Sequence, residues 1–208
     1  MALEHFLKLE NEKQQAIVKA SLEEFVEYGY ELASTNRIVE RAGIGKGTLF
    51  KYFSSKEELF CYIVDLSYEE VLAALELPED KLGEDFFEIL KAYILRKVQL
   101  QSEYPHEFAL FQLMATNPTH PLYYRLLKEY LEKGWEVYHQ VMAKLNREYL
   151  RPDVSPEKAY QLVRWAMEGY QQQLLHRIGS KPFDPAMLPT VLVEVAEIFE
   201  LLKHGIYR

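Results

Sequence analysis

Apolar residues recurring at i, i+3, i+4 and i+7 over long stretches, separated by short breaks carrying glycine and proline, constrain this chain more than any other feature. No run alternates with period two between hairpin-forming turns, so strands have no pattern from which to form. Helices that bury one stripe each must pack on other helices, and an all-α fold follows. At 208 residues there is enough chain to remove about 70 % of the unfolded surface from water. The longest unbroken apolar run, Leu59 to Val64, is far short of the roughly 20 residues that span a bilayer. One cysteine, Cys61, rules out an internal disulfide and fits a reducing compartment. No basic segment precedes an apolar core at Met1-Ala2-Leu3, so a cytoplasmic location without membrane attachment is expected.

The spacing predicts a first helix over 11–28, with Ile17, Ala20, Ser21 and Phe25 on one inward stripe and Gly29 as its left-handed stop. A short helix follows with Ser34 as N-cap and Ile38, Val39 and Ala42 inward, ending at Gly43. After Gly45 a second short helix runs over 46–53. Ser54 or Ser55 caps a fourth helix, with Glu57 and Glu58 in its first turn, that continues to about Leu75. Beyond the Leu77-Pro78 break, helices are predicted at 84–102, 105–115, 121–148, 156–178 and 186–204, making about nine in all.

Two short helices joined by a glycine-containing turn beneath a longer helix form a helix-turn-helix, whose second helix enters the DNA major groove. Charge is distributed accordingly. The net charge of −8 argues against a protein that coats nucleic acid over its whole surface. Yet Ser34 to Lys56 carries Arg37, Arg41, Lys46, Lys51 and Lys56 against Glu40 alone, a net +4. The next stretch, Glu57 to Asp85, has ten acids against Lys81, a net −9. Phosphate contact needs only such a local footprint.

The stretch Gly29-Tyr30, then Ile38 through Phe53 (Ile-Val-Glu-Arg-Ala-Gly-Ile-Gly-Lys-Gly-Thr-Leu-Phe-Lys-Tyr-Phe), then Ser55-Lys56-Glu57-Glu58-Leu59, resembles the DNA-binding domain of TetR-family bacterial transcriptional regulators over residues 11–62. The resemblance implies a helix-turn-helix domain over 1–56 and a helical ligand-binding and dimerisation domain over 57–208. It implies that Lys46, Gly47 and Thr48 read base edges. Gly47 would admit the backbone closely, Lys46 would donate to guanine, and Thr48 would offer a hydroxyl and a methyl. Tyr52 and Lys56 match phosphate-binding positions, and Thr35 and Asn36 open the helix that touches phosphate. Asn36 stands where arginine is common, and Phe50 where tyrosine is frequent, so a phosphate-bonding hydroxyl is missing there. The alternative for each polar residue is an ordinary solvated or packed side chain; Leu49 and Phe53 are core.

Other motifs are weaker. Gly43 to Thr48 superficially suggests a phosphate loop, but Glu40 and Gly47 stand where a P-loop needs glycine and Ser/Thr, and a helix precedes it rather than a strand. Glu-x-x-His occurs at Glu103/His106 and Glu136/His139, which raises a di-metal bundle; Pro105 interrupts the first pair, and only Glu168 offers a further inward glutamate. Catalytic residues, a metal site and cofactors are therefore not expected.

The C-terminal two-thirds is rich in large side chains that could fill a core or line a cavity. A largely apolar effector site is expected from Phe108, Phe111, Tyr138 and Trp165, with Gln112, His139, Glu168 and Gln171 as its polar groups. In TetR-like proteins the last two long helices pair across a two-fold axis. That resemblance puts Val163 and Tyr170 of one helix, and Val191, Val195, Ile198, Phe199 and Leu202 of the other, at a homodimer interface; burial within one chain is the alternative. The reading that results is a homodimeric, sequence-specific regulator, a repressor released from a palindromic operator in double-stranded DNA by a small-molecule effector, with the fourth helix as transmitter. A DNA-binding protein of the same fold without an effector, or a helical di-metal enzyme, are the alternatives.

Overall fold

The computed structural model describes residues 5–75, 86–142, 147–179 and 184–206, with the backbone alone at 86, 135–142, 147 and 185. Among the described residues there are nine α-helices and no strand: α1 (Asn11–Leu32), α2 (Thr35–Arg41), α3 (Lys46–Tyr52), α4 (Lys56–Ala74), α5 (Phe86–Glu103), α6 (Pro105–Thr116), α7 (Pro121–Met142), α8 (Pro156–Ile178) and α9 (Leu188–Ile206). The all-α expectation holds. No helix among the described residues is long and apolar enough to cross a membrane.

Local chemistry explains most helix ends. Gly29 does take the left-handed region, at φ 68°, but helix resumes for one more turn to Leu32 instead of stopping. Ser55 Oγ accepts from Glu58 N at 3.1 Å while the Glu58 carboxylate reaches back to Ser54 N at 2.6 Å, which fixes the start of α4. At α8, Ser155 is the N-cap and Pro156 the first helical residue, and the Ser155 side chain accepts from Lys158 N. Ser34 occupies the N-cap position of α2 but makes no side-chain cap bond. The helix predicted to reach residue 148 is described to Met142, and Arg147–Tyr149 is a separate 3-10 turn.

The chain divides into two compact units, Met1–Ala74 with Tyr104–Met114, and Leu75–Glu103 with Ala115–Arg208. The first unit takes in all of α4 rather than ending at residue 56. The reason is packing: Leu59, Phe60, Ile63 and Val64 of α4 are buried, and the Phe60 ring meets Phe25 of α1 edge-on at 4.9 Å. Phe6, ahead of α1 and fully buried, lies 5.1 Å from the Phe53 ring and 5.3 Å from that of Tyr62, closing the core beneath α3.

In the second unit Phe87 and Leu90 of α5 pack with Ala159, Tyr160, Val163 and Tyr170 of α8 and with Val191, Val195, Phe199 and Ile206 of α9. Residues expected at the dimer interface take part in this packing. Val163, Tyr170, Val191, Val195 and Phe199 are buried inside one chain, and Ile198 and Leu202 are partly buried against the same cluster. The apolar side chains left outside on these helices are Leu162, Trp165, Val193 and Leu201.

α8 and α9 are also joined by charge. Arg177 forks onto Glu194 with bonds of 2.8 and 2.7 Å, and the Tyr170 hydroxyl donates to the same carboxylate at 2.7 Å. Arg177 first, and Tyr170 second, pull the Glu194 carboxyl down from its ordinary 4.5 to about 2, while desolvation and Glu194 push the Tyr170 hydroxyl up to about 12. A carboxylate depressed on folding stabilises the fold above its unfolded pKa and loses that contribution as pH falls through the folded value. Stability measured by urea midpoint should therefore fall between about pH 4.5 and 2, and Glu194→Gln should flatten that part of the profile while leaving the rest of the acid transition unchanged.

Candidate nucleic-acid interface

The turn between α2 and α3 sets the geometry of the candidate interface. Ala42 closes α2, Gly43 adopts φ +66°, and Ile44 N returns to Val39 O at 3.0 Å, so the chain reverses within three residues. A Cβ at Gly43 would meet no neighbour, so its glycine is demanded by backbone conformation and not by space. Gly45 then caps α3, with Thr48 N bonded to Gly45 O at 2.9 Å. Leu49 and Phe53, each 1 % exposed, anchor α3 on the core. Lys46 and Gly47 are thereby turned outward and Thr48 lies half-buried beside them. A Cβ at Gly47 would meet nothing within 4 Å, so folding does not require glycine there, and the bare backbone leaves room for close approach from outside. Asn36 is exposed and Thr35 half-buried at the start of α2, while Tyr52 is half-buried with its ring 5.8 Å from Phe6.

Two groups of cations in the +4 stretch are committed internally. Glu24, on α1, is fully buried. Its Oε1 accepts from Ser34 N and from Arg37 Nε, both at 2.8 Å. Its Oε2 makes no hydrogen bond and faces Arg41 at 3.5 Å, and Arg41 also reaches Glu27 at 3.1 Å. The Arg37 guanidinium lies 4.1 Å over the Tyr28 ring. Lys56, matched by resemblance to a phosphate-binding position, donates to Glu31 O at 3.1 Å and Ala33 O at 3.2 Å and sits 4.7 Å over the Tyr30 ring. It stitches the start of α4 to the end of α1. Lys46 and Lys51 remain exposed on α3.

Sequence reasoning missed Glu24 and Phe6. The signal for Glu24 was present: it falls at i+7 on the stripe Ile17, Ala20, Ser21, Phe25, where a charged residue marks a buried partnered carboxylate. Phe6 stands ahead of any helical pattern and gave none.

The residues expected to line an effector site fall in different places. Phe108, Phe111 and Gln112 are half-buried on α6 in the first unit, with the two rings 6.2 Å apart. Trp165 and Gln171 are exposed on α8 in the second. Glu168 is not a buried carboxylate: Arg164, one turn earlier, donates to it at 2.9 Å, and it is about two-fifths exposed (39 %). Tyr138 and His139 lie outside the residues whose side chains are described, as does the Glu136/His139 pair. Among the described residues no three His, Cys, Asp or Glu are placed to share a metal ion.

Residues 17–63 match the model of the bacterial regulatory proteins of the tetR family. The N-terminal domain is a TetR-family domain. The chain is 32 % identical over 101 residues to the HTH-type transcriptional regulator RutR of Escherichia coli K12, spanning 48 % of this chain but only 46 % of RutR. It is 25 % identical over 139 residues to YhgD, an uncharacterized HTH-type transcriptional regulator of Bacillus subtilis 168, spanning 67 % of this chain and 64 % of YhgD. The fold likeness runs further. A TetR-family regulator from Chloroflexus aurantiacus aligns over 99 % of this chain and 98 % of its own, with TM-score 0.61 and 22 % identity. FadR of Bacillus subtilis, solved in complex with stearoyl-CoA, aligns over 93 % and 99 % with TM-score 0.60 and 17 % identity. The turn through Gly43 and the Lys46-Gly47-Thr48 helix start thus lie within the matched TetR-type segment.

The Glu24 clamp holds α2 to α1 within this TetR-type domain. Glu24→Ala removes two charge-assisted hydrogen bonds and leaves Ser34 N–H without its acceptor, and should cost about 1.5–3 kcal/mol by urea denaturation. Glu24→Gln, which keeps an acceptor for Ser34 and Arg37, should cost less.

Proposed function

We propose that the chain is a sequence-specific DNA-binding transcriptional regulator that acts as a homodimer on a palindromic duplex. The observation that carries the reading is the start of α3: Lys46 and Gly47 face outward on a helix fixed by Leu49 and Phe53 behind a left-handed glycine turn. Two such helices in a symmetric dimer match half-sites about 34–36 Å apart. Thr35, Asn36, Thr48 and Tyr52 flank that helix start as phosphate or base contacts. Lys56 contributes chiefly by holding α4 against α1, and Lys51 supplies the exposed positive charge.

The dimer face is assigned to the outer sides of α8 and α9, where Leu162, Trp165 and Leu201 are exposed and Ile198 half-exposed beside the Arg177–Glu194 pair. Leu162, Trp165 and Leu201, like Val193, stay outside the core cluster, which supports this face. A small, largely apolar effector that releases a repressor from DNA completes the reading. Its support is the half-buried Phe108–Phe111 pair with Gln112 on α6, together with a fold shared with a protein solved with an acyl-CoA bound. An effector can shift the dimer between DNA-competent and incompetent forms only by its difference in affinity for the two.

Three measurements test this. Selection from a randomised duplex library should return a palindrome, and Lys46→Ala should weaken binding by about 1–3 kcal/mol and relax preference at one position per half-site. Equal binding of all sequences by the wild type would reject the DNA reading. In sedimentation, Leu201→Glu and Trp165→Glu should yield folded monomers, whereas Phe199→Glu, which charges the core, should unfold the second unit. Stearoyl-CoA, used as the first apolar probe, should displace operator DNA and raise thermal stability; failure of it and shorter acyl probes to do either removes the effector half alone.

A further inference from the structure

Phe50 departs from what α3 otherwise does with apolar side chains. Leu49 and Phe53 are 1 % exposed, but Phe50 is 42 % exposed, and among the described residues of α2 and α3 it is the one large apolar side chain left in water. It lies three and four residues after Gly47 and Lys46, one helical turn along the same outward face. That face is open, since a Cβ at Gly47 meets nothing, and no ring among the described residues packs on Phe50. The benzyl group has no donor or acceptor, so it cannot serve as a phosphate contact.

We propose that Phe50 is a base-reading residue that recognises thymine through its C5 methyl group. The inference rests on the DNA-binding reading and adds a specificity element to it. In the major groove the thymine methyl is the one apolar feature that a base pair presents; guanine, adenine and cytosine show acceptors and donors that a phenyl ring would strip of water without replacing the hydrogen bonds. Lys46 and Thr48, one turn and half a turn away, carry the polar contacts, so the ring is free to act by packing alone. Burying one methyl group against it corresponds to about a four-fold change in affinity per half-site.

The test uses the full-length protein and the duplex that it selects. Each thymine of the half-site is replaced in turn by deoxyuridine, which keeps every hydrogen-bonding group and removes only the methyl. One replacement per half-site should weaken wild-type binding about three- to five-fold. The same replacement should leave Phe50→Ala unchanged, because the two losses are one contact counted twice. Phe50→Leu, which keeps an apolar tip, should retain a smaller loss of the same sign and serves if Phe50→Ala loses helical content. A wild type indifferent to every replacement, or variants that lose as much as wild type, would overturn the proposal while leaving sequence-specific binding intact. A wild type that selects no sequence overturns both.

Discussion

The N-terminal unit depends on one buried carboxylate. Glu24 sits in the middle of α1 with no exposed surface and holds the residue before α2, the third residue of α2 and, more loosely, its last. A buried carboxylate is costly unless it is partnered: Oε1 takes two hydrogen bonds and Oε2 has the Arg41 guanidinium at 3.5 Å, so removing a partner destabilises the site. α2 is seven residues long, too short to persist alone, and has only Ile38 and Val39 as buried apolar anchors. The charge network therefore does what propensity cannot: it fixes where α2 begins, and through the Gly43 turn it fixes where α3 begins.

The second unit solves a different problem. α8 and α9 are each apolar over more than one stripe. The inner stripes meet α5 in a core running from Phe87 to Ile206, and the bidentate Arg177–Glu194 pair, with the Tyr170 hydroxyl, locks the two helices together at its edge. Leu162, Trp165, Val193 and Leu201 stay exposed outside that core.

Much of this was legible in the amino-acid order. Helix boundaries follow from Gly43, Ser55, Pro105, Pro121 and Pro156, each a local signal with a local cause, whereas Gly29 bends α1 without ending it. The matched TetR-type segment is equally local, because a tight turn needs glycine at fixed offsets. What resisted reading was phase and partnership across distance. Val195 and Phe199 looked equally suited to a partner chain and to their own core, since periodicity says that a face is apolar and not what covers it. Arg37, Arg41 and Lys56 counted as surface charge until Glu24, Tyr28 and the carbonyls of Glu31 and Ala33 were found against them. Trp165 and Glu168 counted as pocket groups for the same reason. A carboxylate at i+7 on an apolar stripe was the one sequence clue to such pairing.

The pairing of Arg37 and Arg41 with carboxylates of α1 bears on how the molecule would search for a site. A chain of net charge −8 is repelled by a polyanion at a distance, and on α3 only Lys46 and Lys51 are left to oppose that repulsion. Sliding and hopping along arbitrary sequence draw on unspecific cation–phosphate attraction, which is small here. Such a protein would spend most of its time in free solution, arrive by three-dimensional diffusion, and stay only where the base edges themselves hold it.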